Sequence, residues 1–557
     1  MDQLDYYIII LFSLLVVAVG LSFSRSGGDM KSFFAAGGAV PWGISGLSLF
    51  MSFFSAGTFV VWGSVAYQLG MVSVTIQWMM CIGGLLVGLF IAGVWRKTGV
   101  LTAAEFIRHR LGTRAQNFYT YLILFLSLAY AGSYLYPVAK LVNVSTGLPI
   151  TSSVVLLGVL IMLYTAVGGL WAVLITDVLQ FVILTAAVVI TIPLSLWYVG
   201  GWEEFSSKVP EDFFNLVAGE YSPWFLFAYL VYSMIFIGGN WAYVQRYTSV
   251  KSVKEAKKVS YLFAGLYTLS PLLWMLPPML FRAVEGDLSG LENEGAYLLM
   301  CKEVLPAGML GLMLGGMIFA TASSVNTTLN LTAAVFTNDI FKTWRPEATN
   351  KQLMWVARIS TLLFGVGTII VAMLVPAVGG IVEVVLSVGA VTGCSLYGPP
   401  IWALFSKRHT GRSILFITVI SLAINLAFKF LLPWLFNYGL DRAQEMLLGA
   451  LLPFLLLGSY ELWAKWQGNI SAEYHRYQQR LAMAKSQEEE KSSANERGQN
   501  AYGIKVLSLA LAAVGLIITV LGFWATEARL FIMVIGVLVG GVPMLYNNKN
   551  LLKRNRI

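Results

Sequence analysis

Charge is scarce in this chain. Only 12% of its 557 residues are Asp, Glu, Lys or Arg, against roughly 25% in an ordinary soluble protein. A surface so poor in charge cannot face water over most of its area. Cysteine is scarcer still. Cys81, Cys301 and Cys394 stand far apart, with neither the paired spacing of a zinc site nor the density of a disulfide framework. The three histidines, His109, His409 and His475, fall in polar connections. A haem or metal-dependent redox centre would therefore lack ligands inside the membrane. No pair of acids sits in an apolar run to do general acid–base work. These shortages set a membrane enzyme aside, and no organic cofactor is expected.

What is abundant is apolar surface: 57% hydrophobic residues and a mean hydropathy of +0.73. Runs near the ~20 residues needed to cross a bilayer recur along the chain. They predict an all-α polytopic membrane protein with about 15 transmembrane helices, from Tyr6–Leu21 to Leu530–Leu545. The first run follows Asp2 and Asp5 rather than a basic leader, so it reads as a retained helix.

The net charge of +9 follows from the positive-inside rule, not from nucleic-acid binding. Arg96, Lys97, Arg108, Arg110 and Arg114 follow the third span. Arg246, Lys251, Lys254, Lys257 and Lys258 follow the seventh, and Lys407, Arg408 and Arg412 the eleventh. The alternate connections carry Glu203, Glu204, Glu211 and Asp212, then Glu285, Asp287, Glu292 and Glu294. This predicts an outside N-terminus, an inside C-terminus and a multi-pass protein of the cell membrane, with the lipid bilayer as its surroundings. The chain divides into a leading helix and linker (1–38) and a core (39–405) made of two parts (39–200 and 201–405). Additional helices (406–463), a polar cytoplasmic segment (464–502) and a terminal hairpin with a basic tail (503–557) follow.

Two spans are interrupted. The second, Pro41–Val65, places Ser52, Ser55, Gly57 and Thr58 at mid-membrane, and the seventh, Trp224–Tyr243, does the same with Gly238, Gly239 and Asn240. Adjacent glycines favour unwinding, because each costs a helix about 1 kcal/mol relative to alanine. Unwound backbone survives in a membrane only where it lines a cavity or is buried in protein. Small residues also serve plain helix packing, and for one helix that reading would stand. Here the second span opens one group of five helices and the seventh opens the next. An odd number per group inverts the second relative to the first. Breaks at matching places in inverted halves point to a transport site at the midplane.

The ninth span, Pro306–Phe336, adds a polar face of Ala320, Ser323, Ser324 and Thr327. Hydroxyls there, with carbonyls from an unwound helix, are the hard oxygen ligands a bare cation needs. Asp177 in the sixth span is an intramembrane carboxylate and a candidate site by default.

These residues resemble the sodium/solute symporter family. The resemblance is carried by Tyr164-Thr165-Ala166-Val167-Gly168-Gly169-Leu170 running on to Asp177 and Gln180. It continues in Gln245-Arg246-Tyr247 and in the Ser323-Ser324 helix to Asp339. It implies a LeuT-type 5+5 inverted repeat with one preceding helix and extra C-terminal helices. It also implies Na+ as coupling ion, held by carbonyls of Met51, Phe54 and Ala320 and hydroxyls of Ser323 and Ser324. A second cation would sit at Asp177, Ser323, Asn326 and Thr327. The solute contacts it implies are Ser55, Thr58, Gln77, Ser233, Phe236, Asn240 and Tyr267. No arginine lies between Phe118 and Val138 to hold an acidic sugar, as sialic-acid relatives do. Gln77 and Tyr267 stand where sugar-transporting relatives place an acid and a lysine, which argues against that sugar-binding mode. The uncharged polar groups and aromatics suit a small organic solute that is neutral, zwitterionic or a monocarboxylate. The expected function is sodium-coupled symport by alternating access. A proton-coupled carrier of the same fold, with Asp177 titrating, and a solute-sensing membrane module are the alternatives.

Overall fold

The computed structural model describes residues 1–22, 40–100, 102–165, 170–378, 380–437, 439–488 and 494–554. Some side chains within its helices, among them those of Ser323, Asn326 and Thr327, lie outside the description. So does part of the stretch from Tyr164 to Leu170. Among the described residues there are helices and no strands, only the bridges Val40–Val250 and Ala218–Tyr221. Lipid cannot hydrogen-bond a backbone, so an apolar segment satisfies its own N–H and C=O groups as a helix.

Ten helices are long and apolar enough to cross a bilayer, and eleven when Pro223–Gly239 and Trp241–Thr248, bent by 58°, count as one. This is a multi-pass membrane protein. Four shorter apolar helices, Trp42–Met51, Ile150–Ile161, Met309–Ala322 and Arg529–Met544, take the places of the second, fifth, ninth and last expected spans. The first of these is short because its helix breaks at Ser52. The others are cut where the description of side chains ends.

The chain opens with α1 (Gln3–Ser22). Its second span is two pieces, α2 (Trp42–Met51) and α3 (Gly63–Leu69), joined through Ser52–Ser55 and a wide turn at Thr58–Trp62. Next come α4 (Met71–Leu86), α5 (Ala103–Leu111), α6 (Thr113–Thr146), α7 (Ile150–Thr165) and α8 (Leu170–Val199). The seventh span is again split, into α9 (Pro223–Gly239) and α10 (Trp241–Thr248). The second half continues with α11 (Val253–Trp274), α12 (Met309–Val335), α13 (Asn350–Leu374) and α14 (Ile381–Phe405). Beyond it lie α15 (Gly411–Leu426), α16 (Arg442–Trp466), α17 (Ala472–Glu488), α18 (Ala494–Trp524) and α19 (Arg529–Arg554).

Two kinds of helix contact recur along the chain. α2 packs on α11 as α9 packs on α4, and α8 meets α2 as α14 meets α9. Exchanging the first five spans for the second five maps each of these contacts onto its counterpart. The close approach of α4 depends on missing side chains. A Cβ at Gly83 would lie 3.0 Å from the Met234 backbone of α9, and one at Gly84 2.6 Å from Phe263 of α11. α6 and α7 pack on α12 and α13 as the second group.

Ionic clusters mark the two ends. At one end Lys429 lies 3.1 Å from Glu383 and 2.9 Å from Glu445, while Arg442 lies 2.9 Å from Glu383 and 2.8 Å from Glu220. At the other, Arg96 donates to the Val250 carbonyl (2.7 Å) and Arg110 to that of Ser406 (2.7 Å). Arg408 pairs there with Glu461 (3.2 Å). The connections after the third, seventh, eleventh and thirteenth expected spans therefore share one face. His409 is buried at this face, with Nδ1 3.1 Å from Ser413 Oγ and Nε2 3.1 Å from the Leu457 carbonyl. Burial lowers its pKa and keeps the ring neutral.

The polar segment forms α17, which docks on α5. Tyr477 meets Phe106 edge-on at 5.7 Å, the Arg110 guanidinium stands 5.4 Å from the Tyr474 ring, and Glu473 accepts from the Gly411 N–H (2.7 Å). The hairpin of α18 and α19 packs on α8 and α1.

Candidate functional site

The first break is held open by its own polar atoms. In a continuous helix the Ser55 N–H would bond the Met51 carbonyl, and the Thr58 N–H that of Phe54. Here the Ser55 N–H donates to Thr58 Oγ1 (3.3 Å) and the Thr58 N–H to the Ser55 carbonyl (3.0 Å). The Thr58 hydroxyl donates to the Phe53 carbonyl. The Ala56 N–H leaves its helix altogether and donates to Thr321 Oγ1 of α12 (3.2 Å). The Met51 and Phe54 carbonyls thus lose their helical donors beside a helix rich in hydroxyls. At the second break Asn240 caps α10. Its Oδ1 accepts from the Ala242 N–H (3.0 Å), and its Nδ2 donates to the Tyr397 hydroxyl (3.3 Å).

Two cavities meet between the breaks. The first encloses about 890 Å³ including its mouth. Ser55, Thr58, Ser233, Phe236 and Tyr267 line it. Aromatic side chains form much of its wall, with Phe53, Trp62, Tyr229 and Tyr232 among them, and no ionised side chain is among the described residues that line it. Ser233 Oγ is buried there. The Tyr229 hydroxyl is beside it, without a well-formed hydrogen bond between them. Gln77 does not line this cavity. It is fully buried in α4, its Nε2 donates to the Ser73 carbonyl (3.2 Å), and its Oε1 has no partner.

The second cavity, about 740 Å³, is lined by Met51, Asp177, Asn240, Arg246, Ser324 and Thr328, among others. Ser52, Tyr130, Tyr134 and Tyr243 line both cavities, so the two are separated by a partition one side chain thick. Asp177 Oδ2 accepts from Ser48 Oγ (2.6 Å), and Ser48 Oγ in turn accepts from Arg246 Nη2 (3.3 Å). Three helices, α2, α8 and α10, are tied together in this way. Thr332 of α12 donates to Ser127 of α6 (2.9 Å). Phe54 and Ala320 are buried. The side chains of Ser323, Asn326 and Thr327 lie outside the described residues.

The oxygen donors present suit a hard, weakly bound cation: two released carbonyls on one element and a hydroxyl helix on the other. Sequence reasoning overlooked Tyr130 and Tyr134, although their four-residue spacing places both on one face of α6. It also overlooked Thr321, whose hydrogen bond joins the break to α12.

Split helices in matching halves, closing beside released carbonyls on a cavity with no ionised side chain among the described residues that line it, define a secondary transporter. The family model for the sodium:solute symporter family matches residues 33–421, and the chain belongs to that family. It is a sodium-coupled solute symporter, not an enzyme. It is 27% identical over 475 residues to the sodium/glucose cotransporter of Vibrio parahaemolyticus, covering 77% of this chain and 85% of that protein. It is 28% identical over 449 residues to sodium/glucose cotransporter 1 of Ovis aries, covering 72% and 67%. The solved structure of a Na+-coupled sialic acid symporter, substrate-bound and outward-open, superposes with a TM-score of 0.70 at 21% identity, over 83% of this chain and 98% of that one. That last likeness is one of fold.

Proposed function

We propose that this chain imports a small, uncharged, hydroxylated solute of the sugar or cyclic-polyol class together with Na+, across the cell membrane. The absence of an ionised group among the described residues lining the first cavity carries this reading. A charged solute there would be stripped of water with no fixed counter-charge, which costs several kcal/mol. Aromatic faces and hydroxyls suit a ring with apolar C–H faces and polar edges. The names of the sodium/glucose relatives agree with this class.

In this reading Na+ sits between the first break and α12, on the carbonyls of Met51, Phe54 and Ala320 and the hydroxyls of Ser323 and Ser324. The solute lies in the first cavity against Ser55, Thr58, Ser233, Phe236 and Tyr267, with Asn240 beyond the partition and Gln77 supporting from behind. A second cation would take Asp177, Ser323, Asn326 and Thr327, where it competes with Arg246 for the carboxylate. The bound ion braces α2 and α3 against α12, so ion and solute strengthen each other's binding. Opening alternates about the tyrosine partition. The membrane potential contributes about 2.3 kcal/mol per charge per 100 mV. Residues 39–200 and 201–405 are the two repeats, with the basic face cytoplasmic and the N-terminus outside.

Thermal unfolding of the purified protein tests this. Glucose, galactose, myo-inositol, proline and lactate are each compared in NaCl and KCl. A ligand at 100 times its Kd adds about 2.7 kcal/mol. A sugar or polyol should raise the melting temperature in sodium alone. If lactate stabilises and no sugar or polyol does, the carboxylate must use the ion as its counter-charge, and the solute class proposed here is wrong.

A further inference from the structure

α12, the helix assigned to sodium, has no cap of its own. The residue before it is Gly308, at φ 83°, which has no side chain to offer the free N–H groups of the first turn. The cap comes from another helix. Asp5 of α1, only 2% exposed, accepts from the N–H of Gly308 (2.8 Å) and of Gly311 (2.9 Å) through one carboxylate oxygen. Its other oxygen accepts from the Asp2 N–H (2.9 Å). A negative charge at a helix N-terminus also meets the favourable end of the helix dipole.

The rest of α1 follows the same line along α12. A Cβ at Gly311 would fall 2.3 Å from the Asp5 carbonyl oxygen, and one at Gly315 2.9 Å from Phe12. One turn further, Phe12 meets Phe319 edge-on at 6.0 Å, with ring planes 83° apart. Phe319 immediately precedes Ala320 and is two residues from Thr321, which holds the first break. α1 therefore grips α12 from its capped end down to the level of the proposed ion. α1 also lies outside the matched family segment, which begins at residue 33.

We infer that Asp5 is a positioning residue for the sodium site: its carboxylate fixes the height of α12 along its own axis against the first break. A site built from carbonyls on one element and hydroxyls on another needs its parts held within about 0.5 Å. An axial slip of α12 changes every ligand distance across that gap at once. This inference rests on the sodium assignment proposed above.

The test uses the full-length purified protein with sodium alone as the probe. NaCl is titrated at constant ionic strength against KCl and followed by melting temperature. Asp5→Asn keeps an acceptor but removes the charge at the helix N-terminus, so the half-saturating sodium concentration should rise about five-fold, equivalent to about 1 kcal/mol. The melting temperature in potassium should fall by at most about 2–4 °C, and both readings in Asp2→Asn should stay near the parent's. If Asp5→Asn lowers the melting temperature in potassium but leaves the sodium midpoint unchanged, Asp5 serves stability alone and the inference is overturned. An unchanged midpoint and melting temperature also overturn it. Should Asp5→Asn not fold, Phe12→Leu loosens the same grip without touching the cap. Its sodium midpoint should rise as well, and a parental midpoint there refutes the inference. A parent protein that gives no sodium response would sink the sodium assignment itself, a result read without any variant.

Discussion

Replacing Ser48 with alanine removes a single hydroxyl that serves three helices. Its hydrogen bond to Asp177 Oδ2 is 2.6 Å long, and Arg246 donates to the Ser48 Oγ at 3.3 and 3.4 Å. A hydrogen bond to a charged group contributes about 1.5–3 kcal/mol. Asp177 has further partners, so the lower end of that range applies. If the bond holds α2, α8 and α10 together around the second cavity, its loss shifts that equilibrium about ten-fold toward open forms. Thiol labelling reads this directly. Cys301 and Cys394 are buried and Cys81 is partly covered, so the background is low. A Thr328→Cys probe faces the second cavity. The Ser48→Ala protein should label at Thr328→Cys about ten times faster than its parent in potassium, and sodium should slow both. Equal labelling rates in two well-folded proteins would refute the claim that this bond gates the cavity.

Thr321→Val should lose the hydrogen bond from the Ala56 N–H. About 1 kcal/mol of stability follows, and sodium-dependent stabilisation should shrink with it on the same melting curves. Lys429→Met leaves Glu383 and Glu445 facing each other without their shared cation. These side chains are partly solvated, so the cost is about 1–2 kcal/mol. Adding Glu445→Leu should recover part of it, and a double variant melting below the single one would contradict the pairing. His409 is held neutral by burial, with its pKa lowered from 6.5. The unfolded chain takes up a proton first on acidification. Stability should therefore hold above about pH 6.5 and be lost as pH falls from there through the lower folded value. His409→Gln should flatten that decline in a melting series from pH 8 to 5.

Much of the site was legible because its chemistry is local. Gly238, Gly239 and Asn240 predict a break, and the chain bends by 58° there. Ser52 to Thr58 predict another, and the helix stops at Met51. The loop charges placed Arg96, Arg110 and Lys251 on one face, and hydrogen bonds from Arg96 to Val250 and from Arg110 to Ser406 join those connections. What escaped depends on contacts between distant elements. Gln77 and Ser233 look alike as polar residues in apolar helices, yet only Ser233 lines the cavity. Helix rotation decides this, and the few polar residues of α4, Ser73, Thr75 and Gln77, mark no single face. Tyr130 and Tyr134 read as ordinary membrane aromatics until α6 is seen against α9 and α10. The cap that α1 gives α12 joins residues 303 positions apart, and no local pattern announces it.

That separation has a consequence for how the molecule is made. α1 leaves the ribosome long before α12, and the glycines that receive Asp5 are 303 and 306 residues behind it. At synthesis rates of about 5–20 residues per second, the interval is roughly 15–60 s. For that time α1 sits in the bilayer with a carboxylate near its end and none of its later neighbours. Nascent chains arrested before and after α12 emerges should differ in whether α1 can be extracted. A helix inserted well before its partner must wait for that partner to find its place.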